Sequence, residues 1–136
     1  MKVYIGNGNI NDESFKSISD AQILNYIADD SECIVIVLDN ILRNHKIADI
    51  PKILELCKTK LRLGGIIHIA DMDFDILNYW YNMTNIEEFN SKVIQSGPLY
   101  SFLNIDFVKN ICTNLGLTVT TATINNTNFV IEVTRK

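Results

Sequence analysis

Only a few residues in this chain of 136 are typed and spaced for chemistry. Gly6 and Gly8 bracket Asn7, with Asn9 next, directly after the apolar run Val3-Tyr4-Ile5. Glycines at the carboxyl end of a strand let backbone approach a ligand closely. The same residues also suit a plain turn that needs φ above zero. Ser19 and Asp20 close a second short segment. Asp20 can contact a polar ligand or cap the helical turn that follows. Asp39 and Asn40 end the run Cys33–Leu38, and His45 stands in the polar patch beyond it. An imidazole titrates near neutrality, so His45 can take a proton from a hydroxyl. An exposed loop histidine is its plainer role.

Other candidates read as structural. His68 lies inside an apolar run and suits a satisfied core position. Asp71 and Asp73 lack further ligands at metal-site spacing, so solvated-loop or helix-cap roles come first. Tyr79, Trp80 and Tyr81 suit packing or the wall of a pocket. Cys33, Cys57 and Cys112 form no CxxC or Cys/His pattern. They read as buried, reduced thiols of a cytoplasmic protein, and no metal site is expected.

The elements that must position these residues follow from the hydropathy pattern. Lys2–Ile5 reads as a strand and Phe15–Ser19 as a very short one. Ala21–Ala28 has room for one or two helical turns. Cys33–Leu38 is continuously apolar and β-branched, as in a strand buried on both faces. Asp49 and Pro51 open a helix whose stripe is Ile50, Ile53, Leu54, Cys57 and Leu61. Lys58, Lys60 and Arg62 fall in its last turns, and Gly64-Gly65 are expected to stop it. Ile66–Ala70 is a strand. Asp75 to Tyr81 and Glu87 to Ile94 read as helical, and Gly97-Pro98 breaks the chain. Ser101 or Asn104 can cap a helix through Asn114. Leu117–Ile124 and Asn128–Val133 form a hairpin around Asn125-Asn126-Thr127, longer than the tightest two-residue type.

Length and composition predict a single domain over residues 1–136. Hydrophobic content of 47% and charged content of 21% suit a soluble globular protein. A net charge of −4, with Lys and Arg scattered, argues against a nucleic-acid partner. No apolar run approaches the length of a membrane span, and the N-terminal run is too short for a signal peptide.

The unit from Val37-Leu38-Asp39-Asn40-Ile41-Leu42 through Leu61-Arg62-Leu63-Gly64-Gly65 to Ile66-Ile67-His68-Ile69-Ala70-Asp71 resembles the second half of a class I S-adenosylmethionine-dependent methyltransferase. Leu63 stands where many members have proline. Val3-Tyr4-Ile5-Gly6-Asn7-Gly8-Asn9 looks like that family's cofactor loop, and Phe15 to Ser19 like its second strand. Asp20 through Glu32 is similar to the passage before its fourth strand. The closing hairpin also fits. The resemblance implies an α/β, Rossmann-like, mainly parallel sheet with a C-terminal antiparallel hairpin and an abbreviated N-terminal half.

It also implies S-adenosylmethionine as cofactor and a small-molecule or glycan acceptor. Gly6, Asn7, Gly8 and Asn9 would face the methionine part. Ser19 matches the position of the ribose-binding acid, with Asp20 one step off. Asp39 and Asn40 would lie near the transferable methyl group, with His45 as base for a hydroxyl acceptor. Asn9 to Ser14 leaves no room for the family's first helix, which marks the domain as truncated. Three outcomes follow: a minimal enzyme, a site completed in a homo-oligomer, or a catalytically inactive methyltransferase-like domain serving binding or assembly.

Overall fold

A computed structural model describes residues 1–8, 10–83, 85–93 and 100–136. The elements alternate as the hydropathy pattern predicts. Strands β1 (Lys2–Gly6) and β2 (Phe15–Ile18) come first. A 3-10 turn at Ala21–Ile23 then leads into the single-turn helix α1 (Leu24–Ile27). Strand β3 (Cys33–Asp39), helix α2 (Ile50–Lys60) and strand β4 (Leu61–Met72) form the central crossover. Helices α3 (Phe74–Met83), α4 (Ile86–Val93) and α5 (Ile105–Asn114) precede the hairpin of β5 (Thr118–Asn125) and β6 (Asn128–Thr134).

The six strands lie in the order β2-β1-β3-β4-β6-β5. The first four are parallel, and β6 runs antiparallel between β4 and β5. This is the mainly parallel sheet with a terminal antiparallel hairpin that the resemblance implies. The hairpin turn is tighter than its sequence suggests. Asn125 pairs with Asn128, so only Asn126 and Thr127 turn the chain, and Asn126 adopts φ +56°. Asparagine tolerates that left-handed conformation better than most residues.

One face of the sheet is the core. Val3, Ile5, Ile36, Leu38, Ile67 and Phe129 are buried there with Leu24 of α1, Leu54 of α2 and Val108 of α5. The opposite face differs from expectation. Val35, Val37, Ala70 and Val130 are only partly covered, and Ile66 is exposed. The strand β3 is therefore buried on one face, not two. The reason lies in connections: α1, α2 and α5 all contribute to the same cluster. His68 also points to the open face, where its Nδ1 lies 3.1 Å from Glu132 Oε1. It is satisfied, but by a half-exposed pair and not within the core.

Helix α2 begins with Pro51 in its first turn, but the Asp49 side chain makes no capping bond. Asp49 instead sits in the 3-10 turn Ile47–Asp49 that feeds the helix. The far end departs further from expectation. The helix stops at Lys60, and Gly64-Gly65 lie inside β4. The ladder steps from Cys33–Leu61 to Val35–Ile66, so the intervening β4 residues bulge outward. Gly64 takes φ +80°, which explains a glycine there. The capping group is Arg135. Its Nη1 donates to the carbonyl oxygens of Leu61 at 2.7 Å and Lys58 at 3.1 Å. Lys60, nearly buried, pairs with Asp30 at 3.0 Å.

Candidate functional site

Strand order reverses between β1, which leads to β2 on one side, and β3 on the other. Such a switch point opens a crevice at the carboxyl ends of the strands, the usual ligand position in an open α/β sheet. Gly6 pairs with Asp39 across this point. The structure therefore brings together Gly6, Asn7, Gly8, Asp39 and Asn40, although the sequence separates the two groups by the length of β2 and α1. Asn9 lies outside the described residues.

The centre of the arrangement is Tyr4, which no motif in the sequence singles out. The Tyr4 hydroxyl donates to Asp39 Oδ2 at 2.5 Å. The Gly8 backbone N–H bonds to the same phenol oxygen. A Cβ at Gly6 would lie 2.8 Å from that oxygen and 3.0 Å from the Asp39 carbonyl oxygen. A Cβ at Gly8 would lie 2.9 Å from it. Both glycines are thus needed to admit the phenol. Burial, then the hydrogen bond and charge of Asp39, push the Tyr4 pKa up from 10.0 to about 12, with Gly8 opposing. The only sequence signal was a tyrosine in an aliphatic strand beside the loop.

Asp39 is fully engaged. Its Oδ1 accepts from Asn40 Nδ2 at 3.0 Å. Asn40 adopts φ +56°, and its backbone N–H donates to the Ala70 carbonyl at 2.8 Å. The Asn40 Oδ1 is buried without a hydrogen-bond partner among the described residues. A buried acceptor left this way carries a desolvation cost, so it marks a place for a donor.

Ser19 and Asp20 follow β2 at the same end of the sheet and are exposed. Asp20 Oδ1 accepts the Gln22 N–H at 2.9 Å, so it caps the turn before α1. His45 follows β3 in a cleft of about 290 Å³ lined by Asn44, His45, Lys46, Asp49 and Tyr100. Its carbonyl accepts from Ser101 Oγ at 2.5 Å. Tyr100 N–H donates to the Arg43 carbonyl at 2.7 Å, which ties the segment before α5 to the loop after β3. Lys46, Asp49 and Tyr100 are cleft residues that no sequence spacing announced.

Asp71 and Asp73 are buried, not solvated. Burial raises the Asp71 pKa, while the N–H groups of Met72 and Arg43 and the Arg43 charge oppose the shift. Asp73 accepts from Ile76 N–H at 3.1 Å and from Ile105 N–H at 2.9 Å, anchoring the starts of α3 and α5. Among the described residues, no group of three or more His, Cys, Asp or Glu suits a metal ion. The cysteines are free and buried. Burial pushes Cys57 to about 12 and Cys112 to about 11. Tyr79 is exposed, and the side chains of Trp80 and Tyr81 lie outside the described set. No described helix is long and apolar enough to cross a membrane.

No protein-family model matches the chain, and no curated protein matches it. Solved structures do. An O-methyltransferase family protein from Burkholderia thailandensis superposes with a TM-score of 0.60 at 12% identity, covering 90% of this chain and 36% of that one. An O-methyltransferase family 2 protein from Planctomyces limnophilus, in complex with apigenin, gives 0.61 at 13% identity, covering 90% and 34%. A SAM-dependent methyltransferase from Archaeoglobus fulgidus gives 0.63 at 11% identity, covering 98% and 75%. The chain has the fold of the S-adenosylmethionine-dependent methyltransferases, and it spans about a third of the length of the first two.

Proposed function

We propose that this chain binds S-adenosylmethionine at the switch between β1 and β3 and serves methyl transfer to a small-molecule or sugar hydroxyl. The observation that carries this is the Asn40 Oδ1, buried without a partner among the described residues, in the residue that follows Asp39, the partner of Gly6 across the two strands. A ligand ammonium is a donor that satisfies it, and the glycine loop offers backbone to the adjoining carboxylate. When bound, the cofactor supplies a methyl group activated on sulfur. Transfer is an in-line displacement, so most of the rate comes from positioning. Asp39 fixes the Asn40 amide, and Asn7 lies between the two glycines of the loop. Ser19 and Asp20, exposed at the same end of the sheet, would meet the ribose.

The cleft beside His45 is the proposed acceptor site. There His45 takes the hydroxyl proton, and Lys46, Asp49 and Tyr100 orient the acceptor. The apigenin bound to the Planctomyces neighbour supports a small-molecule acceptor. Buried, unpaired thiols support a reducing, cytoplasmic setting. A second reading is a non-catalytic binding or assembly module, in which a partner would cover the open sheet face, since parallel sheets are ordinarily covered on both sides. A second copy of the chain is the simplest cover.

Thermal melting with S-adenosylhomocysteine separates the two. A ligand held only by the native state raises the melting temperature. The cofactor proposal expects a rise of several degrees at millimolar ligand, with loss in Asn40→Leu. An unchanged melt, with dimers seen by light scattering, would leave the binding module.

A further inference from the structure

The Tyr4 hydroxyl occupies the glycine loop from within. It accepts the Gly8 N–H and donates to Asp39 Oδ2 at 2.5 Å. The phenol is nearly buried, at 5% exposure. It presents one acceptor to a backbone N–H and one donor to a carboxylate. An α-amino acid end offers the same pair, a carboxylate for the N–H and an ammonium for Asp39. We infer that Tyr4 is an internal competitor for the amino-acid end of the ligand, and that its hydroxyl must leave the loop before that end is seated. The inference rests on the proposed cofactor site and adds the residue that sets its occupancy.

The geometry leaves little alternative for a ligand at this loop. The hydroxyl oxygen lies at 2.8 and 2.9 Å from the Cβ positions of Gly6 and Gly8, the very space that absent side chains open. The phenol stays neutral through the physiological range, so it sits beside Asp39 without repulsion. A ligand carboxylate in its place would face Asp39 directly and needs its own ammonium as a screen. Ligands without an amino-acid end gain nothing from displacing Tyr4. The apparent affinity for one that has it is reduced by the fraction of molecules in which the loop is open.

The test uses Tyr4→Phe, which keeps the ring and removes only the competing oxygen. Tyr4→Leu is a second variant, and melting curves establish that each is folded. Titration calorimetry measures S-adenosylhomocysteine and, separately, adenosine. The expected result is binding of S-adenosylhomocysteine about tenfold tighter in Tyr4→Phe than in the parent, since two hydrogen bonds no longer compete. Adenosine affinity is expected to be unchanged. Equal or weaker binding of S-adenosylhomocysteine by both folded variants overturns the competition and leaves the cofactor proposal standing. An equal gain for adenosine also overturns it, because the amino-acid end is then not what Tyr4 opposes. Silence from parent and variants alike sinks both.

Discussion

The two faces of the sheet differ more than the two halves of the sequence do. Along β3, Ile36 and Leu38 are fully buried, while Val35 and Val37 between and beside them are only partly covered. All four are aliphatic, so composition does not separate the faces. The open face changes character across its width instead. Tyr4, Val37 and His68 form one register row that continues into Glu132 and Thr121. Its parallel side carries Val35, Val37 and Ile66, and its antiparallel side Thr121, Thr123 and Thr134. Antiparallel strands commonly face water on one side, whereas parallel strands rarely do. The antiparallel side is richer in threonine, and the parallel side is aliphatic and only partly covered.

The largest expected effect tests the buried face. Ile36→Ala should cost about 2–5 kcal/mol in denaturant unfolding, because it opens a cavity among packed side chains. Val37→Ala, one residue on, should cost about 1 kcal/mol or less. Equal losses would break the contrast and mean that the second face is covered in solution. Arg135→Ala should cost about 1–3 kcal/mol, since it strips a charged donor from the carbonyls at the end of α2. A melt unchanged by that substitution would show that water caps the helix as well.

A smaller effect tests the row's edge at Tyr4. Its folded pKa, about 12, lies above the ordinary 10.0. The stability from keeping the phenol protonated is full below about pH 10 and is lost as pH rises through about 12. Melting temperature should therefore fall across that window by more in the parent than in Tyr4→Phe. Parallel curves would show that neither burial nor Asp39 holds the phenol protonated. The smallest expected effect is none: Cys57 and Cys112 should resist a thiol reagent at pH 8 until the protein is unfolded. Fast labelling of the native protein would mean that the covered face opens readily.

Much of the architecture was legible because it is local. The stripe Ile50, Ile53, Leu54 and Cys57 reads as one helix face and packs as one. Asn104 was a candidate cap, and its Oδ1 accepts the Phe107 N–H at 2.8 Å. Phe15 to Ser19, despite its polarity, reads as a very short strand, and Phe15–Ile18 forms one at the sheet edge. The glycine pair Gly64-Gly65 misled, because glycine both ends helices and permits bulges. Only the pairing with β3 distinguishes the two uses. For the candidate site, residue types mark Gly6 and Gly8, and separately Asp39 and Asn40; only the family resemblance joins them, and nothing marks what lies among them. Tyr4 meets its partner Asp39 only through the side-by-side placement of β1 and β3.

By itself the sequence determined the periodic elements and their order, since burial patterns and turn residues act over a few positions. The glycine loop and the Asp39-Asn40 pair were visible there as residues that end strands. The tertiary structure alone decided which face of each strand is covered, that Arg135 closes α2, and that Tyr4 fills the loop beside Asp39. Those outcomes depend on contacts between segments far apart in the chain, whose distances are set when the whole sheet assembles and not by any residue's own preference.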